Sequence, residues 1–161
     1  MATDLPAVVA RRSALVDLAL AGTALSVWEI RFGSLGPYFN ADAAVHGAMV
    51  LRPIDSSFIY YWGQGRLGSV VPAMGKLFHL LPGVGAAEAA QFAAYLCSAL
   101  ALLLALGLLR TLPAKVLLFA LCAFPPTELA GAFLTAGQPA CGLFVFSLLE
   151  IRALLRMLGA P

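Results

Sequence analysis

Residues 87–109 read AEAAQFAAYLCSALALLLALGLL, an apolar run whose only charged residue, Glu88, lies at its start. A helix that crosses a bilayer needs about 20 consecutive apolar residues, so this run is the clearest transmembrane candidate in the chain. Arg110 and Lys115 follow it immediately. The short link TLPAK then turns the chain into a second apolar run, a helical hairpin.

Composition extends this reading to the whole molecule. Of 161 residues, 61% are hydrophobic and 11% charged, where an ordinary soluble domain has about 45–50% and 25%. Mean hydropathy is +0.92. The chain therefore reads as an all-α integral membrane protein, one membrane domain over residues 1–161, with about four spans and one sizeable loop. The net charge of +2 is too small, and the basic residues too scattered, to suggest a nucleic-acid surface. Cys97, Cys122 and Cys141 lie in apolar segments without CxxC spacing, so they read as packing or lipid-facing residues and not as a metal or disulfide set.

The expected spans cover about 13–32, 87–109, 116–134 and 139–155. The first follows Arg11 and Arg12, as a signal peptide would, but SVWEIRF stands where a small-residue cleavage site belongs, so an uncleaved anchor is expected. Trp28 suits its far interface. Within the third, Pro125 and Pro126 remove two backbone donors, so the helix must break and the freed carbonyls need partners. Glu128 follows that break, an ionisable residue in an apolar segment. With these spans, Arg11, Arg12, Arg110, Lys115, Arg152 and Arg156 fall on one side. By the positive-inside rule both termini are cytoplasmic and the loop over 36–86 faces outward.

That loop holds the chemistry. Residues 37–81 read PYFNADAAVHGAMVLRPIDSSFIYYWGQGRLGSVVPAMGKLFHLL. Asp42 follows the Gly36–Pro37 end of the first span, where partial desolvation among aromatics raises a carboxylate toward a useful general base; Asn40 and Asp42 are equally favoured as helix caps. His46 lies four residues on, the same face of a helix, but two ligands do not make a metal site, and nothing fixes Asp55 or His79 near them. Asp55 also suits a helix start. Phe58, Tyr60, Tyr61 and Trp62 read either as an interfacial belt or as rings that stack on a sugar. Gln64 and Arg66 stand among Gly63, Gly65 and Gly68, where close backbone approach and a guanidinium favour a phosphate. Leu67, Val70, Val71, Met74, Leu77, Phe78 and Leu81 recur at helical spacing, with Lys76 and His79 on the other side, which predicts an amphipathic helix lying on the membrane or packing against the protein.

A first span, an outer loop opening with an acidic residue in a YFNAD context, the segment YYWGQGRLGSVVP and the later PPTELAGAFLTAGQP together resemble the N-terminal part of GT-C type membrane glycosyltransferases, which include the protein O-mannosyltransferases and the aminoarabinose transferase of lipid A. The resemblance runs from about residue 13 to 156. It implies a polyprenyl-phosphate sugar as donor, an acidic residue of the first outer loop as base or metal ligand, and hence a divalent metal as the conceivable cofactor. On this chain it implies Asp42 as the catalytic residue, with Asp55 second. Arg66 and Lys76 would hold the donor phosphate, with Tyr61 and Gln64 at the substrate. Members of the family have many more spans, so the chain is expected to be an N-terminal module, truncated and inactive alone, in an inner membrane. The competing expectation is a small non-enzymatic membrane protein, an assembly factor or subunit on a larger membrane partner, with Gly22, Gly107 and Gly131 as close-packing positions. A transporter fragment built on the broken third span and Glu128 lacks the inverted repeat such a fold requires.

Overall fold

The structure, a computed structural model, describes residues 5–32, 41–54, 70–126, 134 and 140–157. Among the described residues the regular structure is helical throughout: α1 (Leu5–Phe32), α2 (Ala41–Leu51), α3 (Val70–His79), α4 (Ala86–Leu106), α5 (Leu112–Ala123) and α6 (Ala140–Met157). Two stretches are long and apolar enough to cross a membrane, Arg12–Phe32 within α1 and Ala86–Leu106. Four spans are not shown. α5 has 12 residues, about 18 Å of helix against a hydrocarbon core of roughly 30 Å, and α6 carries Glu150, Arg152 and Arg156 in its second half.

Everything packs on α4. Tyr95, Ala99, Leu102 and Leu106 line one of its faces and meet Ala24, Trp28 and Phe32 of α1 and Ala123 of α5. Ala89, Ala90, Ala93, Ala94 and Cys97 form another face, which meets Ala43 and Val50 of α2 and Val71 of α3. The spacing of three and four along each set is the helical period, and the difference in size decides the partners. The long side chains hold long helices, whereas the alanines admit short helices at close range.

Glycine completes that close approach. A Cβ on Gly75 of α3 would stand 2.8 Å from Val50 Cγ2 and 3.2 Å from Ala90 Cα, and one on Gly47 of α2 would stand 3.1 Å from Ala87 Cα. These two glycines serve packing within the chain. A Cβ on Gly22 would meet nothing within 4 Å; Gly107 is the C-cap of α4, and Gly131 lies outside the described residues. Between α3 and α4 the chain turns through Gly83 at φ 81°, a conformation that favours glycine. His79 Nδ1 donates to the Val84 carbonyl at 2.9 Å, and Glu88 accepts the Gly85 N–H at 2.9 Å, closing the turn and capping α4.

The amphipathic helix exists, but its apolar stripe divides. Val71, Met74 and Phe78 turn to α4, with Phe78 edge-on to Phe92 at 4.8 Å between ring centroids. Val70, Leu77 and Leu81 remain exposed. Packing against the protein therefore accounts for one half of the stripe only.

The hairpin breaks at the double proline. Phe124 N–H donates to the Ala120 carbonyl at 3.1 Å and is the last helical donor of α5, with Phe124 at φ −123°, ψ 55°; a residue before proline is disfavoured in the α region. The Cys122 carbonyl would ordinarily accept from the N–H four residues on, which Pro126 lacks. Trp28 supplies the donor: its Nε1–H lies 3.0 Å from that carbonyl. The ring is buried among the helices and is held by this bond.

Gly75→Leu is expected to lower stability by about 1–3 kcal/mol through overpacking, whereas Gly22→Ala, on an open face, is expected to change it by no more than about 1 kcal/mol and upward. Thermal unfolding followed by circular dichroism in detergent distinguishes the two. Trp28→Phe is expected to cost about 1–3 kcal/mol for the orphaned carbonyl, and less in a chain carrying Pro125→Ala and Pro126→Ala, where helix N–H groups return. A double-mutant cycle reads that coupling.

Candidate functional site

The two ends of the bundle differ in kind. α5 returns antiparallel to α4 through the link at Arg110, and α1 runs beside α5 in the same direction, as Asp17 of mid-α1 with Lys115 near the start of α5, and Trp28 with Cys122 near the ends of both, require. α6 packs along α4, with Arg152 Nη1 3.6 Å from where a Cβ on Gly107 would stand. Arg110, Lys115 and Arg152 thus gather at one end. α2, α3 and the start of α4 occupy the other, with the end of α1.

At the basic end Lys115 Nζ donates to Asp17 Oδ1 at 2.6 Å and to Ser13 Oγ at 2.9 Å. Asp17 is 6% and Lys115 4% exposed. Both charges are out of water, and removing one leaves the other unpaired where solvation is poorest. Sequence reasoning used Lys115 only as a topology marker and gave Asp17 no role. The hairpin held the missing signal: the apolar stretch of α1 from Arg12 and α5 begin at the same end, so an acid and a base a few residues into each arrive at similar depth.

At the other end Asp42 is the second residue of α2, in its first turn, where the unsatisfied N–H groups of a helix favour negative charge. Ala43, His46, Gly47 and Val50 form the buried face of α2, and His46 is 3% exposed. Helical register puts Asp42 one turn before His46. Among the described residues no group of three metal-ligating side chains gathers, around His46 or elsewhere.

Lys76 faces inward. Its ammonium donates to the Val50 carbonyl at 2.7 Å and to the Arg52 carbonyl, at the end of α2. A cation there satisfies carbonyls that have no helical partner and complements the helix dipole. Loss of hydration, and then the nearby Arg52 guanidinium, push the Lys76 pKa below the ordinary lysine value. Lys76 was expected on the polar side of its helix, holding a phosphate; the structure gives two of its donors to the end of α2.

Asp55, Tyr61, Gln64 and Arg66 lie outside the described residues, as do Phe58, Tyr60, Trp62 and Glu128. The structure therefore positions Asp42 along α2 and Lys76 at the end of the same helix. Cys97 Sγ is buried 3.4 Å from Met74 Sδ and Cys122 is half-buried; both are free thiols in packing positions.

Asp17→Ala or Lys115→Ala is expected to destabilise the bundle by about 3–5 kcal/mol, and the exchange Asp17→Lys with Lys115→Asp to recover part of that loss, measured as unfolding midpoints in one detergent. Comparison of the chain with protein families, curated proteins and solved structures finds no match.

Proposed function

We propose that the chain is the N-terminal membrane module of an inverting glycosyltransferase that moves a sugar from a polyprenyl-phosphate donor to an acceptor hydroxyl. The observation that carries this reading is the order of elements around Asp42. A long apolar helix is followed by a short helix with Asp42 in its first turn, then a second short helix, then another long apolar helix on which both short ones are seated. That is the arrangement the resemblance to GT-C enzymes implies. In this reading the Asp42 carboxylate takes the proton of the acceptor hydroxyl as its oxygen attacks the anomeric carbon, and the bond from that carbon to the donor phosphate breaks. Polyprenyl phosphate leaves. Arg66 stabilises the charge gathering on it, since Lys76 is engaged at the end of α2; Tyr61 and Gln64 meet the sugar, and Asp55 is the second acidic candidate.

The proposed setting is an inner membrane crossed several times, with both termini cytoplasmic. Support comes from Arg110, Lys115 and Arg152 gathering at the end opposite α2 and α3, as cytoplasmic positive charge requires. A divalent metal remains compatible with Asp42, and the donor lipid and the bilayer are the partners this chemistry needs.

A second reading, a non-enzymatic subunit or assembly factor, is favoured by one observation. Gly22 is open on α1 beside the exposed Leu15 and Leu18, a notch of the kind a neighbouring membrane helix fills.

The purified chain is expected to bind polyprenyl phosphate, and where the module supports transfer of labelled sugar from a polyprenyl-phosphate donor, Asp42→Asn is expected to lower that rate by about 10²–10⁴-fold. A purified chain that neither transfers sugar nor binds polyprenyl phosphate overturns the transferase reading. A co-purifying membrane protein, with cellular function intact after Asp42 and Asp55 are both replaced, establishes the second.

A further inference from the structure

The geometry points to a lipid seat: the outer face of α3 with the end of α2, formed by Leu51, Ile54, Leu77, Leu80 and Leu81, lies in the headgroup–acyl boundary of one leaflet and fixes the height of α2. The inference rests on the proposed placement of α1 and α4 across a membrane and deepens it, because the lipid-linked donor carries its phosphate at that boundary.

Height comes first. Gly75 of α3 is pressed against Ala90, four residues into α4, about 6 Å along its axis. A helix held there lies beside the first turns of a span, where hydrocarbon gives way to headgroups. Composition comes second. Leu77 and Leu80 are 68% and 80% exposed, and Leu51 and Ile54 are 65% and 72% exposed. Val70 and Leu77 are two turns apart on one face, which Leu80 and Leu81 continue beyond the end of α3.

The two short helices act together because Lys76 joins them. Its hydrogen bonds to the Val50 and Arg52 carbonyls tie the end of α2, where Leu51 and Ile54 are exposed, to α3. They also draw the lysine charge away from the exposed leucines of α3, and the one remaining cation among the described residues of this stretch, Arg52, can reach the headgroups as its apolar neighbours enter the boundary. Besides closing the end of α2, the Lys76 contact keeps an ammonium off the exposed leucines of α3, as entry into lipid favours. Asp42 lies nine positions before Leu51 on α2, about 14 Å along the same rod, so seating one end sets the height of the other.

Nitroxide labels test the seat. Leu77→Cys, Leu80→Cys and, within α4, Leu100→Cys are made singly in the full chain with Cys97, Cys122 and Cys141 replaced by alanine. Each is reconstituted in phosphatidylcholine–phosphatidylglycerol vesicles, and collision with oxygen and with a nickel chelate is measured. The Leu100 label is expected deep in hydrocarbon, and the Leu77 and Leu80 labels about 5–10 Å below the phosphates. Leu77 and Leu80 labels open to nickel beside a deep Leu100 label overturn the seat alone; shielding from both reagents means a protein cover and also overturns it. A Leu100 label open to nickel overturns the membrane placement together with the seat. Should the cysteine-free chain lose helix content, Leu80→Trp in the native background is expected to raise quenching by brominated lipid above that of Trp28 and Trp62. Unchanged quenching overturns the seat.

Discussion

The arrangement depends on how closely helices can approach one face of α4. Ala89, Ala90, Ala93 and Ala94 are fully buried there, and Gly47 and Gly75 come so near that an added methyl would stand 3.1 and 3.2 Å from an α4 Cα, tighter than ordinary contact. In an apolar surrounding, helix association draws little from the hydrophobic effect and relies on van der Waals contact, which falls away within an ångström of the optimum. Small residues on both partners are therefore what allows two short helices to remain on a long one. If α4 carried leucine at these positions, α2 and α3 would be displaced outward, and the helix that opens with Asp42 would lose its seat.

Polar groups buried in the bundle are used as fasteners between elements far apart in sequence. The Trp28 indole meets the Cys122 carbonyl that Pro126 strands; Lys115 meets Asp17 and Ser13; Lys76 closes the end of α2; the Gln91 amide donates to the Leu134 carbonyl. An unsatisfied group in such surroundings costs several kcal/mol or about that order, so each pairing specifies a register as well as a contact. The double proline is a case in point. It ends α5 and, by removing a donor, creates the acceptor that draws α1 against it.

Much of this was legible in the sequence. The run at 87–109 announced α4 by length and apolarity, although the helix ends at Leu106 with Gly107 as its cap. The break at Pro125 followed from missing N–H groups, and the helix over 70–79 from its spacing. Less accessible was which half of an apolar stripe turns inward, because periodicity defines a face without naming its partner. Gly47 and Gly75 were not singled out, since glycine in a loop rich in turns carries no mark of a helix crossing. The partner of Trp28 was not legible, because an amphipathic ring suits an interface and a stranded carbonyl equally well, and only the position of α5 supplies the contact. Of the candidate site, Asp42 at a helix start and His46 one turn later were readable from spacing; the inward turn of Lys76 was not, as it depends on where α2 ends in space.

The most direct test of the docking of α2 on α4 is an oxidation experiment on Gly47→Cys with Ala87→Cys. The Cβ positions at these two sites lie 3.4 Å apart, at the short edge of the roughly 3.5–4.5 Å that a disulfide spans. With the chain in membranes under mild oxidant, the two thiols are expected to join within one molecule, read as loss of both from thiol labelling and recovery on reduction. Two thiols that remain free, while each single variant keeps its helix content, would contradict the placement of α2 on the alanine face of α4.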